Sequence, residues 1–175
     1  MIDRRATLLA FAASGAAVAG LAASSLAAGW RARAAEAEEG KTFPLVKSDD
    51  EWRRLLPSEQ YRVLRGHGTE PSGSSPLDRE KRAGTFHCAG CDQALFASGD
   101  KFESGTGWPS FTRPLDGAVG KRVDRSFFMT RTEVHCANCG GHLGHVFEDG
   151  PPPTGLRYCM NGIAMTFKPA ANGPA

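Results

Sequence analysis

The sequence carries little excess of charge of either sign. Its 21 lysines and arginines against 19 acidic residues leave a formal net charge of +2. With residues 1–34 set aside as a leader, 17 basic and 18 acidic residues remain, a balance of −1. Without a basic face to neutralise phosphates, nucleic-acid binding loses its electrostatic warrant. Repeats are missing too, apart from two short cysteine elements. A length of 175 residues allows one ordinary domain with a real core and little more. Cysteine is scarce and odd in number, with five in all, so any pairing leaves one over.

Their spacing sorts the five into two jobs. Cys88-Ala89-Gly90-Cys91 and Cys136-Ala137-Asn138-Cys139 are C-x-x-C knuckles. Each such turn points two sulfurs at one place, and two turns supply the four thiolates of a closed tetrahedral zinc site. Two disulfides and a free thiol are the alternative, favoured by an oxidising compartment. Zinc is the reading adopted, because a chain folded before export meets the metal in a reducing cytosol. Cys159, in Arg157-Tyr158-Cys159-Met160-Asn161, is the odd thiol.

Arg4-Arg5 precede a weakly apolar, Ala-rich run from Ala6 to about Gly29, and Ala32-Arg33-Ala34 fits an A-x-A cleavage site. This is the pattern of a signal peptide over residues 1–34, and the paired arginines suggest the twin-arginine export machinery. The expected location is therefore exported and periplasmic, or membrane-anchored if the segment is not cleaved. Residues 35–47 read as a linker, 48–168 as the domain and 169–175 as a disordered tail.

The domain opens with helices. Ser48 and Glu51 form a capping box ahead of Trp52, Leu55 and Leu56, which share one helical face. Pro57 ends that helix and Ser58 is placed to cap a second. Gly66 to Ser75 is a loop. Beyond Gly84 come short strands divided by Gly, Pro and Asp, so the expected class is a mainly β, antiparallel domain with a short helical lead-in. The 44 residues between the knuckles exceed a simple zinc ribbon. The metal is expected to join two hairpin turns at one end of a sheet.

Several residues invite chemistry. Trp108, between Gly107 and Pro109, is either the wall of an apolar pocket or an indole packed over a sheet. His142 and His145 are three apart. On a regular strand they would face opposite sides, so with Gly140, Gly141 and Gly144 nearby they are expected to converge in a turn. Four thiolates already close the metal shell, so proton transfer suits these imidazoles better than ligation. His87 and His135 read as strand histidines satisfied by backbone, and His67 as a loop residue. Arg157 and Cys159 are two apart, share a strand face, and are continued by Asn161. A guanidinium beside a thiol favours the thiolate. The plain alternative for Cys159 is a small buried hydrophobe.

Together SGTGWPSF (104–111), CANCGGHLGHVFEDGPPPTG (136–155) and RYCMNG (157–162) resemble the B-type peptide-methionine sulfoxide reductases, which act on the R epimer. FHCAGC (86–91) and EWRRLLPSEQYRVLRGHGTEP (51–71) belong to the same pattern, and the likeness covers about residues 45–168. It implies two small antiparallel sheets around the active site and a structural zinc on Cys88, Cys91, Cys136 and Cys139. It also implies Cys159 as nucleophile, Trp108 against the substrate methyl group, and His142, His145, Arg157 and Asn161 lining the site. The substrates would be oxidised proteins or free methionine sulfoxide.

One position departs from the pattern. Many members carry a resolving cysteine where this chain has Thr106, and no sixth cysteine replaces it. The expected cycle therefore ends in a Cys159 sulfenic acid cleared by an external, thioredoxin-like thiol donor. A zinc-stapled binding module with a structural Cys159, and a thiol hydrolase, are the rival readings.

Overall fold

In the computed structural model of the chain, residues 43–126 and 129–171 are described. The signal peptide read over 1–34, and most of the linker, lie outside them. Among the described residues no helix is long and apolar enough to cross a membrane.

Helix α1 (Asp49–Leu55) begins as its sequence dictates. The Ser48 side chain accepts from the Glu51 backbone N–H, and Glu51 reaches back to the Ser48 backbone. Helix α2 (Ser58–Leu64) begins differently from expectation: Pro57 is its N-cap, with no side-chain cap, and Ser58 is already inside the first turn. Proline supplies a suitable φ without needing a donor there, so no cap is required of Ser58. Both helices cover the knuckles. Arg65 stacks 5.1 Å over the Trp52 ring and donates at 3.0 Å to the Cys139 carbonyl.

The strands form two antiparallel sheets, as expected. One has three strands in the order β2 (Ala94–Ala97), β1 (Gly84–Cys88), β9 (Met165–Pro169). The other has six, in the order β3 (Lys101–Phe102), β4 (Ser110–Phe111), β8 (Arg157–Met160), β7 (His142–Phe147), β6 (Arg131–Cys136), β5 (Val119–Asp124). An aromatic core joins them. Phe96 of β2 stacks on Phe111 of β4 at 4.3 Å, and Phe86 of β1 meets Phe111 edge-on at 4.9 Å. All three rings are fully buried. At 25 cal/mol per Å² such burial contributes roughly 2 kcal/mol per ring.

The edges of the domain are wider than the sequence indicated. Strand β9 runs to Pro169, and the Ala170 N–H donates to the Ala83 carbonyl at 2.9 Å, so the tail begins beyond them. At the other end Leu45 donates to the Asn138 carbonyl at 2.9 Å, so residues 43–47 are docked on the second knuckle.

Candidate active site

The two knuckles occupy hairpin turns of different sheets, the first between β1 and β2 and the second between β6 and β7. Any metal there joins one sheet to the other, not two turns of one sheet. Residues after each C-x-x-C take matching left-handed conformations, Asp92 at φ 62° and Gly140 at φ 69°. All five cysteines are free thiols. Cys88 Sγ lies 3.8 Å from Cys139 Sγ, and Cys91 Sγ lies 3.5 Å from Cys136 Sγ, far outside disulfide distance. A regular tetrahedron with metal–sulfur bonds of about 2.3 Å has edges of about 3.8 Å. The four sulfurs, all within 4.8 Å of one another, fit that figure and could hold a metal ion. Four thiols this close cannot all ionise unless a cation stands among them.

Cys159 sits on β8, in the middle of the larger sheet. Its cross-strand neighbours are Ser110 on β4 and His145 on β7. Strand β7 can approach because position 144 is glycine: a Cβ there would fall 2.2 Å from the Cys159 carbonyl oxygen. The half-buried thiol opens into a cavity of about 160 Å³ whose walls include Trp108, His145, Phe147, Arg131 and Asn161. Trp108 is therefore a pocket wall and not a ring packed over the sheet. Its indole N–H donates to the Glu70 carbonyl at 3.1 Å, which fixes the ring's plane.

Hydroxyls, not a second thiol, surround the sulfur. Thr106 Oγ1 is 3.9 Å from Cys159 Sγ, and Ser104 Oγ is 2.8 Å from Thr106 Oγ1. Ser110 Oγ donates to Ser104 Oγ at 2.8 Å, closing a chain of three hydroxyls. Burial pushes the Cys159 thiol up, while Thr106, Arg157 and Ser110 pull it back down. The Arg157 charge acts in the expected direction, but burial outweighs it, so the resting form is the thiol. Arg157 is also committed elsewhere: two bonds, at 2.9 and 2.8 Å, tie it to Asp149, and it stacks 4.6 Å over Phe147.

The two histidines converge, though not in a turn. Both lie on β7, and a bulge sets His142 and Leu143 together opposite His135. That one extra residue returns His145 to the face of His142, with ring centroids 5.4 Å apart. Their surroundings differ. His145 lines the cavity and its Nε2–H donates to Asp124 Oδ2 at 2.8 Å, leaving Nδ1 as an acceptor. Burial lowers its pKa more than Asp124 raises it, so the imidazole is neutral at pH 7. His142 stands behind it, 3 % exposed, with Nδ1 at 2.7 Å from Glu133 Oε1. Its Nε2 is buried and has no hydrogen-bond partner among the described residues.

Sequence reasoning missed this supporting layer. His67 is more than a loop residue: it reaches Glu133 Oε1 at 3.1 Å, and Arg122 pairs with the same carboxylate. His67, Glu133 and His142 are close enough to share a cation. Arg122 already neutralises the carboxylate, which makes the group an ion-pair hub. Arg131 and Asp124, both behind or beside His145, were also unread; their bond is 2.8 Å. Neither lies in a short motif; only strand pairing brings Arg131 to the pocket wall and Asp124 to His145. His87 is satisfied by the Asp92 carbonyl at 2.9 Å, as expected, and His135 is buried in β6 with its ring edge on Phe43. Asn161 is buried and spent: Oδ1 accepts from Glu70 N–H at 2.9 Å and Nδ2 donates to the Leu143 carbonyl at 3.1 Å.

The fold and this site define a domain that presents one thiol, Cys159, in a cavity walled by Trp108 and His145. The chain matches the SelR domain over residues 56–169. It is 55% identical over 130 residues to "Peptide methionine sulfoxide reductase MsrB" of Agrobacterium fabrum, an alignment covering 73% of this chain and 96% of that one. The protein of the same name from Pseudomonas putida is 56% identical over 124 residues, 70% and 93% of the two chains. That from Methanosarcina barkeri is 52% identical over 128 residues, 73% and 90%. This chain belongs to the SelR family.

Proposed function

We propose that the protein reduces methionine-R-sulfoxide, free or within oxidised proteins, by attack of Cys159 on the sulfoxide sulfur. The observation that carries the reading is a lone thiol at the base of a small cavity walled by the Trp108 indole. An S-methyl group fits an aromatic face, and the cavity of about 160 Å³ suits a side-chain-sized substrate.

The Cys159 sulfur bonds to the sulfoxide sulfur, and the sulfoxide oxygen, as it gains negative charge, takes a proton. Transfer of that oxygen to Cys159 releases methionine and leaves Cys–SOH, so the sulfoxide is reduced and the thiol oxidised by two electrons. In this reading neutral His145, held by Asp124 and paired across the strands with Cys159, accepts the thiol proton and returns it to the oxygen. An external thiol then displaces water from the sulfenic acid to form a mixed disulfide. A second thiol releases Cys159 as thiol and leaves as disulfide. A thioredoxin-like dithiol supplies both equivalents.

Zinc is the proposed metal for Cys88, Cys91, Cys136 and Cys139. Its part is to join the sheets that carry the site, with no step in the chemistry. Export through the twin-arginine machinery to the periplasm, for repair of oxidised proteins, is proposed on residues 1–34 alone.

Turnover of the separate sulfoxide epimers with dithiothreitol tests the activity. The R epimer should be consumed and the S epimer left. Consumption of the S epimer alone, or of neither, would exclude the reading, and ester cleavage without reductant would favour a thiol hydrolase.

A further inference from the structure

Glu70 does not line the cavity at Cys159, and the sequence marks it for no role of its own. It is 4 % exposed, on the irregular segment before the 3-10 turn that starts at Pro76. Both carboxylate oxygens are used. Oε1 accepts from the Gly162 N–H at 2.5 Å and Oε2 from the Ile163 N–H at 2.9 Å, the two peptides after Asn161. The approach needs glycine, since a Cβ at 162 would fall 2.1 Å from Ser75 Oγ and 3.3 Å from Glu70 Oε1.

The Glu70 backbone faces the other way, toward the thiol pocket. Its N–H donates to Asn161 Oδ1 at 2.9 Å and its carbonyl accepts from the Trp108 indole at 3.1 Å. One residue therefore holds two walls of the cavity by its main chain while its side chain fastens that main chain to the strand end behind Cys159. No other residue bonds both Trp108 and Asn161 among the described contacts.

We propose that Glu70 is a positioning residue for sulfoxide reduction, setting the plane of the Trp108 indole and the rotamer of Asn161 relative to Cys159. The inference rests on the functional reading above. Without the carboxylate, the segment around Glu70 loses its two anchors, and its carbonyl drifts from the indole N–H. Recognition of the substrate methyl group suffers first, because it depends on where the ring lies. Bond making at Cys159, whose neighbours Ser110 and His145 are fixed by strand pairing, suffers less.

The test compares Glu70→Ala and Glu70→Gln in the full chain, assayed with methionine-R-sulfoxide and dithiothreitol, each alone and combined with Trp108→Phe. Losing anchors worth one or two hydrogen bonds should raise KM about tenfold for Ala and about threefold for Gln, with kcat within about threefold. Gln keeps one acceptor but opposes the second N–H with its own, hence the graded effect. In the Trp108→Phe background, which lacks the indole N–H, Glu70→Ala should add little, a coupling that independent roles would not produce. A 15N spectrum gives a readout free of activity: the Trp108 indole N–H, assigned by its loss in Trp108→Phe, should shift and exchange faster in both Glu70 variants. Should the Ala variant not fold, the Gln variant decides on the same measurements. An unchanged KM and an unmoved indole signal, with only the folded fraction reduced, would overturn the proposal. Failure of the wild type to reduce the sulfoxide would sink the functional reading instead, and the indole signal would still decide the role of Glu70.

Discussion

Thr106 places its hydroxyl 3.9 Å from the sulfur of Cys159, nearer than any other thiol comes. The loop thus already delivers its side chain to disulfide range, but delivers oxygen. Sulfur at that position needs only a shift of about 2 Å to reach bonding distance. Thr106→Cys should therefore form an internal disulfide after one turnover, visible as a loss of two hydrogens in intact mass. The wild type should instead retain one sulfenic acid at Cys159, trapped by a dimedone-type reagent. A wild-type disulfide between Cys159 and a knuckle cysteine would refute the one-thiol cycle and make the metal site redox-active.

Burial raises the Cys159 pKa above the ordinary thiol value of 9.0. In the free enzyme the alkylation rate should accordingly keep climbing through pH 9 without a plateau below it. Arg157 opposes that rise, so Arg157→Ala should move the profile to higher pH and slow labelling at pH 7. Far-ultraviolet circular dichroism should stay unchanged. Coincident profiles for the two proteins would remove Arg157 from thiol activation and leave it as the Asp149 partner alone.

Motifs made the pocket thiol of Cys159, the Trp108 indole and the four clustered sulfurs legible, because short local spacings carry them: C-x-x-C for a two-sulfur turn, Gly-Trp-Pro for a presented ring. The mainly antiparallel β class was legible from the short strands, and the two sheets from the family resemblance. What stayed hidden depends on register. The β7 bulge that gathers His142 and His145 leaves no mark in the apolar pattern, since a bulge is decided by the partner strand. Asp124, Arg131 and Glu133 come near His142 and His145 only because β6 pairs with β7 and β5 with β6. The stapling of two sheets, where one was expected, was hidden for the same reason: spacing counts sulfurs but not the sheets that carry them.

Glu133 is the hub that fixes His142. Burial alone would raise its pKa, but the bonds from His142, His67 and Arg122 outweigh that and hold it well below the usual carboxylate range. A depressed folded pKa means the stabilisation is present above the unfolded value of 4.5 and lost as pH falls beneath it. Glu133→Gln should thus cost about 2 kcal/mol at pH 7, allowing for the partly exposed Arg122. Its deficit against the wild type should shrink on acidification below about pH 4. Urea unfolding at pH 7 and pH 3.5 measures both; a deficit that grows at the lower pH would contradict the assignment.

The metal site yields a sharper contrast, because its sulfurs pair across the knuckles and not within them. Cys88 lies against Cys139 and Cys91 against Cys136, so disulfides in that pattern would staple the same two sheets that a metal does. The two states differ in what dissolves them. A zinc staple resists thiols but yields to a strong chelator, whereas disulfides do the reverse. Incubation with dithiothreitol should leave the melting curve unchanged, and a chelator under mild denaturant should unfold the domain and release one zinc per chain. Ser at any one of the four positions should lose both metal and fold, since structural zinc contributes on the order of 10 kcal/mol to small domains. Helix α2 makes the loss wider than the turn itself: Leu64 packs against Gly141, where an added Cβ would stand 3.0 Å from its methyl, and Arg65 caps the Cys139 carbonyl. Melting of the second knuckle therefore frees the lead-in helices as well. A domain that is insensitive to chelator and unfolds in dithiothreitol would establish the disulfide form in place of zinc.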